Sequence, residues 1–186
     1  ALCARYDIPL RLASGRVCPG KKGLEAAARD ARYAFLESLP GRIATAHTAD
    51  DNAETILMHL VRGTGLKGLG GIAPQRGRLI RPMLSITRRE VEDFLAEWHL
   101  PHVEDSTNDT DAFLRNRLRR HVMPLLRAEN PRIAENLSQM ALRLRQDEAC
   151  LAYQSEYETL PEVETLRTLP PAIRSRMLER FLKESG

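Results

Sequence analysis

Cysteine is scarce in this sequence, and its three copies, Cys3, Cys18 and Cys150, lie far apart. An odd number of cysteines without a C-x-x-C pair argues against a disulfide framework and against a zinc or iron–sulfur centre made by this chain alone. No apolar run approaches the roughly 20 residues that a membrane span needs, and the N-terminus has no signal-peptide pattern. A reducing cytoplasm is therefore the expected compartment.

Net charge is also low, because the 28 Lys and Arg exceed the 25 Asp and Glu by only 3. The distribution of charge is more informative than the total. Residues 112–145 contain eight arginines and no lysine, against two glutamates, which gives a local charge of +6. Arginine presents a planar fork of donors that suits phosphates and stacking on bases. An RNA-binding face and an ordinary solvated helix surface both fit this segment.

Apolar spacing predicts helices over 23–39 and about 51–61, with short strands over 8–14, 42–46 and the stretch RLIRPML. Thr87 with Glu90 forms a capping box for a further helix. Residues 112–127 are predicted to be helical, and Asn130-Pro131 predicts an N-cap followed by proline at the first helical position. Strands alternate with helices to about residue 100 and only helices follow. The expected fold is therefore α/β: a partial doubly wound parallel sheet, then an all-helical linker and second domain.

Residues 46–55 read AHTADDNAET and concentrate titratable groups where a strand is predicted to end and a helix to begin. Open parallel sheets bind ligands outside such strand ends. A carboxylate there can bind Mg²⁺ or accept a proton from an attacking amine. The neutral imidazole of His47 can donate to a phosphate or a leaving group. Alternatively, Asp51 is a plain N-cap with Glu54 completing its capping box, and a metal-dependent hydrolase fits the same spacing.

Two more stretches carry candidate ligand-binding groups. In GLEAAARDARY, Glu25, Arg29 and Arg32 share one helix face, either as surface ion pairs or as a group aimed at a phosphate or carboxylate. In EDSTNDTDAFLRNRLRR, two arginines lie one helical turn apart and suit a nucleotide's phosphate or base edge. The candidates in that second stretch are Asp105, Asn108, Arg115, Asn116 and Arg119.

Taken in order, these stretches resemble the tRNA(Ile)-lysidine synthase (MesJ-like) family of PP-loop ATP pyrophosphatases. The shared motifs are G-L-E-A-A-A-R-x-x-R-Y, A-H-x-x-D-D-x-A-E-T-x-L-x-x-L-x-R-G-x-G-L-x-G-L-x-G-I, R-P-x-L and D-x-x-N-x-x-x-x-x-x-R-N-x-L-R. They run from about residue 23 to residue 126, with family-like spacing, which makes the match more specific than any single motif.

The resemblance implies an enzyme that modifies the wobble cytidine of tRNA(Ile) with a CAU anticodon. ATP adenylates the C2 oxygen and pyrophosphate leaves; the amine of free lysine then attacks C2, AMP departs, and lysidine is formed. ATP and Mg²⁺ are the implied cofactors, and the implied setting is cytoplasmic, without a membrane, with a homodimer as one candidate assembly.

The resemblance also implies roles for the candidate residues. Asp51 and His47 match the family's catalytic pair, with Mg²⁺ a candidate ligand of Asp51. Arg29, with Glu25 and Arg32, matches the group near the reacting atoms. The segment that faces the cytidine or its phosphates is matched by Arg115, Asn116 and Arg119, braced by Asp105 and Asn108.

The family's S-G-G-x-D-S loop, which binds ATP after the first strand, does not occur in this sequence. We therefore expect residues 1–121 to be a PP-loop ATPase domain without its first strand and that loop, 122–160 a helical linker, and 161–186 the start of a helical substrate-binding domain. Such a fragment is expected not to adenylate RNA unaided. The alternatives are another PP-loop tRNA-modifying enzyme and a non-catalytic RNA-binding fragment. A tRNA thiolase is one such enzyme, but thiolases typically use paired cysteines, and this sequence has none.

Overall fold

The computed structural model describes residues 2–15, 17, 24–102, 111, 113–156 and 162–185. The chain forms two compact units. The first comprises Ala1–Ala44 with Arg76–Ile80, and the second comprises Thr45–Gln75 with Arg81–Gly186. Within the described ranges, no helix is both long enough and apolar enough to cross a membrane.

The first unit contains α1 (Leu2–Arg5), α2 (Leu24–Ser38), β1 (Ile43–Ala44) and β3 (Leu79–Ile80). α2 is the helix predicted over 23–39; it begins one residue later than predicted and ends just before Pro40-Gly41. The guanidinium of Arg78 fastens this end, because it donates to the carbonyls of Glu37 at 3.2 Å, Gly41 at 2.8 Å and Leu39. β1 therefore starts from a turn that is held by side-chain hydrogen bonds.

The sheet is smaller than expected and is mixed rather than parallel throughout. β1 and β3 are parallel, with Ile43 opposite Leu79, and β2 (Gln75–Arg76) lies on the other side of β3. Only Gly77 and Arg78 connect β2 to β3, and so short a link joins antiparallel neighbours. Gly77 has a φ of +58°, as tight hairpins require. The predicted strand over 8–14 does not form, since these residues lie outside helix and strand.

The second unit is helical. Its elements are α3 (Ala49–Arg62), α4 (Leu66–Leu69), α5 (Arg88–Glu97), α6 (Leu114–Arg117), a π-helical turn (Leu118–Val122), α7 (Met123–Glu129), α8 (Ile133–Gln154), α9 (Val163–Thr168) and α10 (Pro171–Ser185). Thr87 and Glu90 form the predicted capping box of α5. The predicted N-cap at Asn130 is wrong: α8 starts after Arg132, and Asn130 Oδ1 instead accepts the Arg132 amide at 3.0 Å in the turn before it.

Small side chains let α3 pack against α8. The core of this unit is formed by Ala49, Ala53, Met123 and Ala134, with Leu57, Leu126, Ile133 and Leu137 partly buried around it. Asn52 adds a polar link, because its Oδ1 accepts the Ile72 amide at 2.7 Å and its Nδ2 donates to Ser138 at 3.2 Å. The glycine-rich segment 63–72 is thereby fixed to α3, whose N-terminus carries the candidate site.

Gly71 is expected to tolerate no side chain. Its φ is +62°, and a Cβ would stand 2.3 Å from Asn52 Oδ1 and 3.0 Å from Ile56 Cγ1. Gly71→Ala should lower the free energy of unfolding by about 2–4 kcal/mol, from backbone strain plus overpacking. Gly63→Ala is the matched control, since Gly63 has a φ of +75° with open space around it; we expect it to cost only about 1–2 kcal/mol. If urea unfolding gave equal losses of free energy for the two variants, the clash between the added Cβ and Asn52 would contribute nothing.

Candidate active site

The N-terminus of α3 is capped by Thr48. The Thr48 side chain accepts the Asp51 amide at 3.3 Å, and the Asp51 carboxylate accepts the Thr48 amide at 2.9 Å. Asp51 is therefore the third residue of the capping box and not the N-cap, and the alternative that paired Asp51 with Glu54 in such a box is wrong. The cap uses one carboxylate oxygen of Asp51, Oδ2, while the other, Oδ1, lies near the guanidinium groups of Arg115 and Arg119.

Asp51 is held as a carboxylate. Burial by itself would raise its pKa, but the hydrogen bonds from Thr48 and the charges of Arg115 and Arg119 together outweigh burial, so the pKa lies below the usual value of 3.8. Oδ1 lies 3.6 Å from Arg115 Nη2 and 3.5 Å from Arg119 Nη2. The side chain keeps 16% of its surface exposed, so it is accessible to a small ligand.

Glu54 is the hub of the site. Its side chain is 3% exposed and receives Arg115 Nε at 2.9 Å, Arg119 Nε at 2.6 Å and Arg119 Nη2 at 2.9 Å. Arg115 lies on α6 and Arg119 on the π-helical turn that follows it, and both side chains reach the same carboxylate. The predicted pair of arginines on one face is thus brought against Asp51 and Glu54.

Asp50 makes a parallel set of contacts on the neighbouring side of α3. Its side chain is 7% exposed, accepts the Arg88 amide at 2.5 Å and pairs with Arg127. It therefore links the start of α3 to the start of α5 and to α7. The carboxylate of Asp50 is therefore used in contacts that hold the fold together, whereas the carboxylate of Asp51 next to it is partly exposed.

His47 precedes the cap, and its Nδ1 lies 2.9 Å from the Thr45 hydroxyl oxygen. This contact orients the imidazole ring. Asn116 is also close to the arginines in sequence and is 9% exposed, so it is part of the packed surface of α6.

The other predicted residues belong to the first unit or lie outside the described residues. Arg29 and Arg32 lie on α2 in the first unit, both beside Tyr33, with guanidinium carbons 5.4 Å and 6.0 Å from its ring centre. The side chain of Glu25 lies outside the described residues, as do Asp105 and Asn108.

The donor set at Asp51 does not fit Mg²⁺. A magnesium site needs free oxygen ligands in near-octahedral order, but Oδ2 of Asp51 is used by Thr48, and Oδ1 faces two guanidinium groups that would repel a cation. Among the residues that the structure describes, no group of three or more His, Cys, Asp or Glu could hold a metal ion. The magnesium role of Asp51 stays a prediction.

Sequence reasoning missed Asp50, Glu54 and Arg127 as members of the charged network. One signal for them is present in the sequence: α3 carries acids at 50, 51 and 54, and the arginine-rich segment repeats at 115 and 119. Acids and arginines at helical spacing in two segments predict paired faces. The +6 of residues 112–145 is correspondingly offset in space by the acids of α3.

The chain belongs to the PP-loop domain family, whose sequence model matches residues 1–126. It is related to tRNA(Ile)-lysidine synthases at about 40% identity, which confirms the resemblance found in the motifs. The relative from Parabacteroides distasonis is 40% identical over 135 residues, which is 70% of this chain and 31% of that protein. The relative of the same name from Geobacillus kaustophilus is 42% identical over 80% of this chain and 33% of that protein. The one from Pseudomonas aeruginosa is 40% identical over 82% of this chain and 36% of that protein.

This chain therefore spans about a third of the length of these relatives. The expected division into residues 1–121, 122–160 and 161–186 stays a prediction.

Glu54→Gln should lower the free energy of unfolding by about 2–4 kcal/mol. The substitution leaves two guanidinium groups without a buried counter-charge, and the loss falls below that of a fully buried pair because Arg115 and Arg119 are 30% and 23% exposed. Asp93→Asn is the matched control, because it breaks an exposed 3.9 Å pair with Arg89 and should leave the urea midpoint unchanged. Similar midpoints for both variants would contradict the role of Glu54 as hub.

The lowered pKa of Asp51 predicts a pH-dependent contribution to stability. A carboxyl whose folded pKa is below its unfolded value stabilises the fold fully above about pH 4–5, and this stabilisation is lost as pH falls through the folded pKa, here below 3.8. Asp51→Asn should therefore destabilise the chain more at pH 6 than at pH 3, as measured by urea unfolding at both pH values. If the free energies of unfolding of the variant and of the unmodified chain differed by the same amount at both pH values, the lowered pKa of Asp51 would be refuted.

Proposed function

We propose that this chain forms part of an ATP-dependent ligase that joins lysine to C2 of the wobble cytidine of tRNA(Ile) with a CAU anticodon, through an adenylated cytidine. The observation that carries the proposal is the Asp51 carboxylate at the capped start of α3, partly exposed and flanked by Arg115 and Arg119. The family membership and the named relatives support the substrate class.

The chemistry of Asp51 favours an electrostatic role. A carboxylate with a lowered pKa is a weak base near neutral pH but stays charged. When the lysine amine attacks C2 of the adenylated cytidine, positive charge develops on the amine nitrogen, and a nearby carboxylate stabilises that charge. In this proposal Asp51 orients the amine and stabilises the transition state, and AMP leaves as the C–N bond forms.

His47 and Arg29 have supporting roles in the proposal. The ring of His47, oriented by Thr45, donates a hydrogen bond to the departing phosphate. Arg29, with Glu25 and Arg32 on the same helix, binds a phosphate or the lysine carboxylate.

For Arg115, Arg119 and Asn116, the contacts modify the expected role. Because Glu54 already holds both guanidinium groups, we propose that the two arginines set the charge and position of Asp51, and that this segment faces the cytidine or its phosphates. Asp105 and Asn108 brace this surface in the proposal.

The partners follow from the same assignment. The proposed substrates are ATP, free lysine and tRNA(Ile), and the proposed compartment is the cytoplasm. The proposed division has a PP-loop ATPase domain at 1–121, a helical linker at 122–160 and the start of the substrate-binding domain at 161–186. A homodimer is compatible with this arrangement. A related PP-loop enzyme that makes another tRNA modification is the alternative that the assay must separate.

The test measures lysine transfer to a tRNA(Ile) transcript with a CAU anticodon, using the full-length gene product that contains residues 1–186. Asp51→Asn should lower kcat for lysine transfer by roughly 10²–10³-fold, the effect of removing one group that stabilises transition-state charge. Asp93→Asn, an exposed carboxylate on α5, should retain full activity.

Mass spectrometry of the product nucleoside separates the alternatives. Lysidine as the product, formed with release of AMP and pyrophosphate, supports the proposal. A different modified nucleoside, or lysine transfer that is unaffected by Asp51→Asn, overturns it.

A further inference from the structure

The helix α8 makes three polar contacts along one of its faces. Ser138 accepts a hydrogen bond from α3 at 3.2 Å, Arg145 donates to carbonyls of the glycine-rich segment, and Glu148 pairs with α10. These three residues share the face with the buried Ala134 and Ala141, because positions along it alternate in steps of four and three. A single helix of 22 residues therefore contacts α3, the glycine-rich segment and α10 in turn.

Arg176 of α10 is a partly buried cation whose counter-charge is Glu148 of α8. The side chains of Arg176 and Glu148 are 22% and 24% exposed, and Arg176 Nη2 donates to Glu148 Oε2. Nη1 of the same guanidinium donates to the Ala172 carbonyl at 2.9 Å, whereas Nε is buried without a hydrogen-bond partner. Loss of Glu148 would therefore leave a charge without its ion-pair partner in a place that water reaches only partly.

The pair between Glu148 and Arg176 differs from three other ion pairs on α9 and α10, each of which joins two residues of the same helix. Those three are Glu164 with Arg167, Glu179 with Lys183, and Arg180 with Glu184. A pair inside one helix cannot determine how that helix lies on its neighbour. The contact of Glu148 with Arg176 connects two helices and can do so.

Apolar burial holds α10 in place without fixing its register. Ile173 and Met177, which flank Arg176 in the sequence, are 5% and 0% exposed. The hydrophobic effect is non-directional, so these two side chains tolerate small shifts of the helix. An ion pair that is partly shielded from water favours one relative position, because misalignment leaves both charges desolvated without a partner. The register of α10 on α8 is therefore specified by the ion pair.

We propose that Glu148 and Arg176 are a positioning pair that holds α10 in one register on α8 and thereby fixes the start of the substrate-binding domain relative to Asp51. The inference rests on the proposed function, which assigns α10 to that domain. α8 transmits the position, since Ser138 binds Asn52, the neighbour of Asp51 in α3. Binding surfaces that are already held in place lose less freedom when RNA binds. Loss of the pair should therefore weaken tRNA binding and leave the chemical step unchanged.

The experiment compares Glu148→Gln with the unmodified protein, both as the full-length gene product that contains residues 1–186. In hydrogen–deuterium exchange with mass spectrometry, the amides of α10 should exchange about fivefold faster in the variant, with those of α3 unchanged. The Kd for the tRNA(Ile) transcript should rise about fivefold, while kcat for lysine transfer stays within about twofold. Glu164→Gln is the matched control, since it breaks an exposed pair within α9 and should change none of these quantities.

Two further variants separate positioning from folding. The exchanged pair, Glu148→Arg combined with Arg176→Glu, should return the Kd and the exchange of α10 to within about twofold of the unmodified values. Glu148→Asp keeps the charge on a shorter side chain, so it should show the same localised change in α10, at smaller size, even where Glu148→Gln impairs folding.

Three outcomes overturn the proposal: Glu148→Gln and Glu148→Asp leave the exchange of α10 or the Kd unchanged, kcat falls as much as affinity does, or the exchanged pair restores neither quantity. A protein that binds the transcript but transfers no lysine contradicts the proposed function instead. The exchange rates and the Kd then decide this inference.

Discussion

The carboxylate of Glu54 joins two segments that are far apart in the chain, since Arg115 and Arg119 are 61 and 65 residues away. Its two oxygens accept three guanidinium donors, so α3 is locked to α6 and to the π-helical turn at one point. The same lock places two positive charges beside Asp51 Oδ1, while Thr48 holds Oδ2. The charge state and the orientation of the candidate catalytic carboxylate therefore both depend on a neighbour that is itself almost inaccessible.

The contacts also change the meaning of the basic segment. Three of its arginines form ion pairs with acids of α3: Arg115, Arg119 and Arg127. A fourth, Arg120, pairs with Asp111 at 3.1 Å. A run of arginines in sequence is therefore not a map of surface potential, because counter-charges from distant segments are invisible until the chain is folded. The local charge of +6 is therefore no evidence that this unit binds RNA. Only groups that remain exposed in the fold could make such contacts.

Local signals predicted the helices well and the sheet poorly. The helix predicted over 23–39 and the capping box of Thr87 and Glu90 depend on contacts between residues close in sequence, which can be recognised from the sequence alone. The mixed sheet depends on a two-residue hairpin at Gly77 that is hard to distinguish from an ordinary loop turn. Asp51, Arg115 and Arg119 were singled out from residue type and spacing, and the structure brings these three side chains together, while their roles at a site stay predictions. Glu54 was interpreted as a capping residue, because its partners are remote in the sequence. Thr48 was missed as N-cap because Asp51 is an equally good capping residue.

The π-helical turn Leu118–Val122 contains one residue more than an α-helical turn of the same rise would need. Loss of a single residue there would restore regular helix and rotate every later side chain on α7 by about 100° about the axis. Arg127 would then turn away from Asp50, although neither residue had been altered. The number of residues between Arg119, which pairs with Glu54, and Arg127, which pairs with Asp50, is therefore fixed by these two contacts. Related chains should accept substitutions between them far more readily than insertions or deletions.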